Sequence, residues 1–368
     1  MSLTFHWFLP TSGDGRSIIG RGHSIPVAGG ARAVSRPPDL DYLGQIARSA
    51  EQLGFTGVLT PTGTWCEDAW LVTAALITQT KRLKFLVAFR PGLTSPTLAA
   101  QMAATYQRIS GGRLMLNVVT GGQAEEQRRF GDHLPHDERY ARTGEFLDIV
   151  RGAWRGRPYD FAGQHYNVSG ATVLAPPDPP VDVFFGGSSP AAGPVAARYA
   201  DVYLTWGEPP GAVAEKLDRV RERAKATGRE LRFGIRLHVI ARPRADQAWA
   251  QAQELLDGLD PAAIESAQAI QRASQSEGQR RMSELHGGRT DALEVSPNLW
   301  AGVGLVRGGA GTALVGSHEE VADRIAEYHE LGIDEFILSG YPHLEEAYQV
   351  GEGVMPVLRR RGLLADTS

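Results

Sequence analysis

The 368-residue sequence predicts an α/β fold: a single (β/α)8 barrel, or TIM barrel, with insertions after strands 1, 4 and 7. Three observations predict it. Eight short apolar runs alternate with helix-period segments along nearly the whole chain, and repeated βα units build a parallel sheet. Eight such units favour a closed barrel over an open doubly wound sheet, and such barrels exceed ~250 residues as one domain. No G-x-G-x-x-G follows the first run, so the dinucleotide-binding alternative lacks its phosphate loop.

The elements follow in order. Residues 4–9 form the first strand. Leu40, Leu43, Ile46, Ala47, Ala50 and Leu53 share one helical face. Residues 57–61 are the second strand, with a helix over 69–80 after it. Residues 83–89 are apolar throughout, as a parallel strand buried on both faces requires. Ser95-Pro96 caps and opens a helix to Ile109. Residues 114–119 make the fourth strand, with a long helix at about 138–154 and a hairpin over 161–174. Strands at 181–185, 202–205 and 233–240 alternate with helices at 191–199 and 212–226. A helix over 319–331 leads into the eighth strand, 335–339. Residues 11–38 form a long Gly/Ser/Arg/Pro loop. Residues 243–316 form an insertion, helical at first and glycine-rich over Gly302–Gly316, expected to carry a mobile active-site lid within the one domain 1–368.

Composition excludes several functions. Acidic residues outnumber basic ones by 42 to 38, for a net charge of −4, which argues against a general nucleic-acid or membrane-surface binder. The one cysteine, Cys66, excludes an intramolecular disulfide and a cysteine zinc cluster. No apolar run approaches the ~18 residues of a membrane span. The N-terminus reads as a strand rather than a signal peptide, and a cytoplasmic location is expected. No P-loop, H-E-x-x-H or G-x-S-x-G is present.

In such a barrel the active site lies at the C-terminal strand ends. Arg236 and His238, two apart, share a face of strand seven, and Tyr341 and His343 follow strand eight beside it. An Arg fork, two imidazoles and a phenol suit a tetrahedral oxyanion such as a sulfonate or phosphate. The structural alternative is an ion-paired Arg236 and satisfied core histidines. No carboxylate joins the set, so no metal is expected. Gly186-Gly187-Ser188-Ser189 precedes a helix, where it either holds a phosphate or serves as a turn with a Ser cap. Trp206 ends strand six as a ligand contact or a core residue. Cys66 is a nucleophile candidate, or a small buried residue.

Longer stretches now matter: Trp7-Phe8-Leu9-Pro10-Thr11, Cys66-Glu67-Asp68-Ala69-Trp70, Asn117 to Gly122, Tyr203 to Pro210, Phe233 to Ile240, Pro297 to Gly316 and Ser339 to Tyr348. Through them the chain resembles the bacterial luciferase-like, FMNH2-dependent two-component monooxygenases, most closely the alkanesulfonate monooxygenases. The resemblance implies a TIM barrel that takes reduced FMN from a separate NAD(P)H-dependent flavin reductase. With O2 as co-substrate, the C–S bond of a sulfonate is cleaved to an aldehyde and sulfite. It implies Trp206, Arg236, His238, Tyr341 and His343 at the sulfonate. It implies Asn117, Thr120, Tyr140, Ser188 and Ser189 at the flavin, Arg307 on the lid and Cys66 near the flavin. The catalytic set would be Arg236, His238, Tyr341, Arg307 and Cys66. A homo-oligomer, dimer or tetramer, is expected.

The departures shift the expected substrate. The alkanesulfonate enzymes read Pro-Thr-His-Gly-Asp-Gly and Thr-Gly-Arg-Ser-Cys. Here the residues are Pro10-Thr11-Ser12-Gly13-Asp14-Gly15 and Thr62-Gly63-Thr64-Trp65-Cys66, and the loop at about Gly20–Pro38 is longer. The anion end is kept and the side facing the rest of the substrate differs. That points to a bulkier, hydroxylated sulfonate, a sulfosugar such as sulfoquinovose. The alternatives are a simple alkanesulfonate, a non-catalytic flavin or sulfonate binder, and an F420-dependent hydride-transfer enzyme of the same barrel type.

Overall fold

The computed structural model describes residues 2–18 and 36–365. The chain runs β1 (Thr4–Phe8), α1 (Leu40–Leu53), β2 (Gly57–Thr60), α2 (Ala69–Leu76), β3 (Lys84–Phe89), α3 (Pro96–Ser110) and β4 (Leu114–Val118). Then come α4 (Ala124–Arg129), α5 (His136–Ala153), the hairpin β5 (Tyr159–Ala162) and β6 (Asn167–Ala171), β7 (Asp182–Gly186), α6 (Ala192–Tyr199), β8 (Val202–Trp206), α7 (Pro210–Ala226) and β9 (Arg232–Arg242). The rest is α8 (Ala245–Asp257), α9 (Pro261–Arg272), α10 (Glu277–His286), β10 (Glu294–Ser296), β11 (Leu299–Trp300), β12 (Ala313–Ser317), α11 (His318–Glu330), β13 (Glu335–Ser339), α12 (His343–Tyr348) and α13 (Met355–Arg360).

The predicted barrel is what forms. β1 pairs in parallel with β2 and β13, and β9 with β8 and β13, so eight parallel strands close on themselves. Side chains alternate across this sheet. Phe5 and Trp7 of β1 pack outward under the helices. Phe8 turns inward with Leu59, Leu86, Met115, Phe184 and Ile337 to fill the barrel. The helices start and stop on local signals. The Asp39 side chain accepts from Tyr42 N at 2.8 Å to open α1, and Gly54 ends it at φ 94°. A polar plug closes the N-terminal end of the barrel. His6 Nε2 lies 2.8 Å from Glu335, which also takes Arg232, and Arg232 reaches Asp182 at 2.7 Å. The C-terminal end is left for a site.

The insertion after the seventh strand is more ordered than its glycine content suggests: within Gly302–Gly316, residues 302–305 form a 3-10 turn and 313–316 belong to a strand, with 306–312 irregular between them. β9 runs on past the barrel, and β12 continues the sheet beside its second half, with Ala313 opposite His238 and Ser317 opposite Arg242. β10 and β11 add antiparallel strands. Glycines hid this order from a periodicity argument because they serve close packing. A Cβ on Gly311 would stand 2.7 Å from Gly304 Cα, and Gly304 N donates to Gly311 O at 2.8 Å. Leu255, Trp300, Val303, Leu305 and Val315 give the insertion a core, which Ile240 of β9 joins to the barrel. The predicted loop after strand one lies mostly outside the described residues. Its two ends bond each other, Asp14 N to Arg36 O at 3.0 Å and Arg36 N to Asp14 O at 3.2 Å.

One buried carboxylate ties the insertion to the barrel. Glu208, just past β8, accepts from Lys216 Nζ of α7 at 2.7 Å and Arg281 Nε of α10 at 2.9 Å. Removing one partner of a buried charge cluster strands the others. Glu208→Ala is therefore expected to destabilise by about 3–5 kcal/mol in urea unfolding. Arg281→Met, which leaves the Glu208–Lys216 pair intact, is expected to cost clearly less.

Candidate active site

A cavity of about 270 Å³ opens at the C-terminal ends of the barrel strands. Arg236 enters it from β9. The same inward alternation places His238 two residues on, level with Ser339 of β13. The guanidinium of Arg236 stands 4.8 Å from the centre of the Phe8 ring. Its bonds run from Nη1, to Leu237 O at 3.0 Å and Ser339 Oγ at 2.9 Å. Arg307 arrives from the insertion, 5.3 Å from the same ring, and donates to the Tyr341 hydroxyl. Both guanidiniums line the cavity.

Their electrostatics are unusual. Burial alone pushes Arg236 down to about 9. Burial, then the charge of Arg236, pushes Arg307 down to about 9 as well. Neither value shows the influence of a carboxylate, and residues 19–35 contain no Asp or Glu to supply one. Both remain cations at neutral pH. Two buried like charges sharing one aromatic ring, without a carboxylate partner among the described residues, fit a multidentate anion.

His238, Tyr341 and His343 stand behind these cations, packed together rather than forming the cavity lining. His238 stacks on Tyr341 at 5.5 Å and 17°. Its Nε2 donates to Ala310 O at 3.1 Å, so Nδ1 accepts from Ser339 Oγ at 2.7 Å. Burial, then Arg307 and Arg236, keeps it neutral. His343 Nδ1 lies 2.9 Å from Asp14 Oδ1. Burial depresses its pKa despite Asp14. Burial would raise the Asp14 carboxyl, but His343 and Tyr42 outweigh it and hold it at about 2.

The residues expected at a flavin all reach the cavity: Asn117 of β4, Thr120 beyond it, Tyr140 of α5, and Ser188 and Ser189 after β7. Ser189 Oγ also accepts from Ala192 N at 3.3 Å in the turn ahead of α6, whose N-cap position is Ala191 without a side-chain cap bond. A Cβ on Gly187 would stand 2.6 Å from Ala192 Cβ and 3.2 Å from the Tyr140 hydroxyl. Glycine therefore keeps a backbone cradle open between helix start and phenol, which suits the phosphate of a mononucleotide. Trp206 forms another wall, with Gly278 of α10 against its ring. Cys66 is not part of the lining. Its thiol faces Pro61 O and Gly63 O, and burial pushes its pKa up to about 12, so it stays protonated. Its neighbour Trp65 takes the lining position.

Residues outside the predicted set also line the cavity, among them Phe8, Arg90, Glu126, Lys216 and Gln279. Phe8 and Arg90 sit at strand ends, a signal the sequence carried. Glu126 and Gln279 lie on helices that only the tertiary fold brings over the mouth.

The family model for luciferase-like monooxygenases matches residues 4–335. The chain belongs to that family. Solved structures agree on the fold of this luciferase-like protein. A riboflavin lyase, RcaE, with modified FMN and its substrate riboflavin, superposes with a TM-score of 0.82 at 23% identity, covering 99% of this chain and 93% of its own. EDTA monooxygenase (EmoA) from Chelativorans sp. BNC1 gives 0.76 at 19%, covering 99% and 95%. The long-chain alkane monooxygenase LadA gives 0.75 at 20%, covering 100% and 93%. Among the described residues no helix is long and apolar enough to cross a membrane.

Two predictions follow from the paired guanidiniums. Sulfate keeps its charge as pH rises, whereas Arg236 and Arg307 lose theirs through about 9. Sulfate affinity measured by calorimetry should therefore hold from pH 6 to 8 and fall above 9; a flat profile to pH 10 contradicts the assignment. Arg307→Met should weaken sulfate binding by roughly 10–100-fold, the scale of a lost charged hydrogen bond.

Proposed function

We propose that this chain is a sulfonate monooxygenase that uses reduced FMN and O2 to cleave a C–S bond, giving an aldehyde and sulfite. The substrate is a sulfosugar, with sulfoquinovose converted to 6-oxo-glucose. The observation that carries the reading is the pair of buried, acid-free guanidiniums, Arg236 and Arg307. Reduced FMN, supplied by a separate NAD(P)H-dependent reductase, would when bound supply two electrons and activate O2. One oxygen atom ends on carbon and the other leaves as water.

The protein's residues account for the rest. Asn117, Thr120, Tyr140, Ser188 and Ser189 would hold the flavin. Trp206, Arg236 and Arg307 would hold the sulfonate, with Tyr341, His238 and His343 packed behind as positioning groups. Arg307 is fixed by Tyr341, and Arg236 by Ser339, whose hydroxyl donates onward to neutral His238. As the C–S bond breaks, its electron pair goes to sulfur and the bound group gains negative charge. Two fixed cations therefore bind the departing sulfite more strongly than the sulfonate, which favours the forward reaction. The insertion, which lines the mouth, would exclude bulk water from the cavity.

The test is sulfite release with an FMN reductase, NADH and air, comparing sulfoquinovose, octanesulfonate and methanesulfonate. Preference for sulfoquinovose is expected. Preference for the alkanesulfonates would make this an ordinary alkanesulfonate enzyme, and no sulfite from any of the three would overturn the sulfonate reading. Arg236→Met should lower kcat/KM at least 100-fold. Titration with reduced FMN against reduced F420 should show binding of FMN alone.

A further inference from the structure

The cavity has a second polar wall. β9, β13, β1, β2 and β3 are successive neighbours in the eight-strand ring, so Arg90 at the end of β3 faces Arg236 from the opposite side. Unlike Arg236, Arg90 is neutralised. Its Nη2 donates to Glu126 Oε2 at 2.6 Å, and both side chains are buried. Phe130 lies against this guanidinium at 5.3 Å. Glu126 Oε1 also accepts from Thr64 N at 3.2 Å. Arg90 Nε and Nη1 are buried with no hydrogen-bond partner among the described residues. Trp65 completes the wall. A single point beside Gly63, where a Cβ would stand, is 2.2 Å from Trp65 Nε1 and 2.8 Å from Glu126 Oε1, so indole and carboxylate are neighbours. All three side chains line the cavity.

The two walls differ in what they can hold. The Arg236–Arg307 wall carries two uncompensated positive charges. The Arg90–Glu126 wall carries donors and an acceptor side by side with no net charge. A free anion would be repelled by Glu126, and a free cation by Arg90. A hydroxyl is donor and acceptor at once, so two adjacent hydroxyls match an Arg–carboxylate pair with both roles used. An indole beside them covers the apolar C–H face that such a polyol carries. Unpaired buried N–H groups are costly, which leaves Arg90 with donors to satisfy.

We propose that Trp65, Arg90 and Glu126 form the subsite that recognises the neutral, hydroxylated part of the substrate, across the cavity from the anion. This rests on the sulfonate reading above and assigns the specificity within it. The ligand is then bipartite: an anionic head on the Arg236–Arg307 wall and a vicinal diol on the Trp65–Arg90–Glu126 wall.

The experiment compares a 6-sulfonated hexose with hexanesulfonate, which shares the head and lacks the hydroxyls. Binding is read by calorimetry and turnover by sulfite release, for the unmodified chain and for Trp65→Ala, Trp65→Phe and Glu126→Gln. Trp65→Ala and Glu126→Gln should each lower affinity and kcat/KM for the sulfohexose at least 10-fold more than for hexanesulfonate. Trp65→Phe, which keeps an aromatic face, should recover most of the loss. Melting temperatures confirm that each variant is folded, and the half-buried, loop-borne Trp65 keeps the test open should Glu126→Gln not fold. Equal losses on both ligands, or no loss on either, overturn the subsite while leaving the sulfonate reading intact. Failure of the unmodified chain to bind either sulfonate overturns the sulfonate reading itself, and the subsite with it.

Discussion

The site depends on two guanidiniums that should repel each other yet share one phenylalanine. Phe8 makes this arrangement possible. It sits on the first strand with its ring filling the barrel just below the mouth, and Arg236 and Arg307 both lie against it. The ring's electron-rich face offsets part of the desolvation cost. Ser339, the Leu237 carbonyl and the Tyr341 hydroxyl take up only some of the donors. Both guanidiniums keep the rest of their charge toward the cavity. A protein that needed only stability would have supplied an acid or an apolar side chain here.

Arg307 is not on the barrel, so the geometry rests on how the insertion is seated. Three buried glutamines hold its backbone. Gln271 Nε2 donates to Gly304 O at 2.9 Å and Gln268 Nε2 to Leu305 O at 2.8 Å. Gln279 Oε1 accepts from Gly309 N at 2.8 Å. These bonds flank Arg307 on both sides in sequence. They also connect it to the α9–α10 link, whose Ser274 and Ser276 line the cavity. The segment that carries the second cation is thus tied to the segment that walls the substrate space.

Much of this was legible from residue patterns. The eight strands came from apolar runs because a parallel sheet buried on both faces leaves little else to read. Arg236 and His238 could be paired from spacing alone, since a strand repeats every two residues. Arg307 was marked as a lid residue by its glycine-rich segment and by the family resemblance, but not as a neighbour of Arg236, because its segment follows glycine packing rather than any period. Trp65, Arg90 and Glu126 come from a loop, a strand end and a short helix. No linear spacing relates them. The division of the anion set into two cavity-lining arginines and three groups packed behind them was equally invisible, because which side chain reaches a cavity is decided by neighbours far away in sequence.

The loop after β1 shows how a local change in sequence can act at the site. Its described ends, Asp14 and Arg36, bond each other and both grip the segment that begins at the eighth strand's end. Asp14 takes the amide and the ring of His343, and Arg36 Nη1 takes Glu345 at 2.7 Å. Tyr42 of α1 reaches both Asp14 and Arg36. The described ends of the loop therefore lie where Phe8, Tyr341 and His343 meet, beside Arg307. Asp14 fixes His343 through its backbone and its Nδ1 together. In the proposed reading, anion recognition and selectivity for the rest of the substrate would then rest on separate residues, with Asp14 anchoring the histidine beside the first.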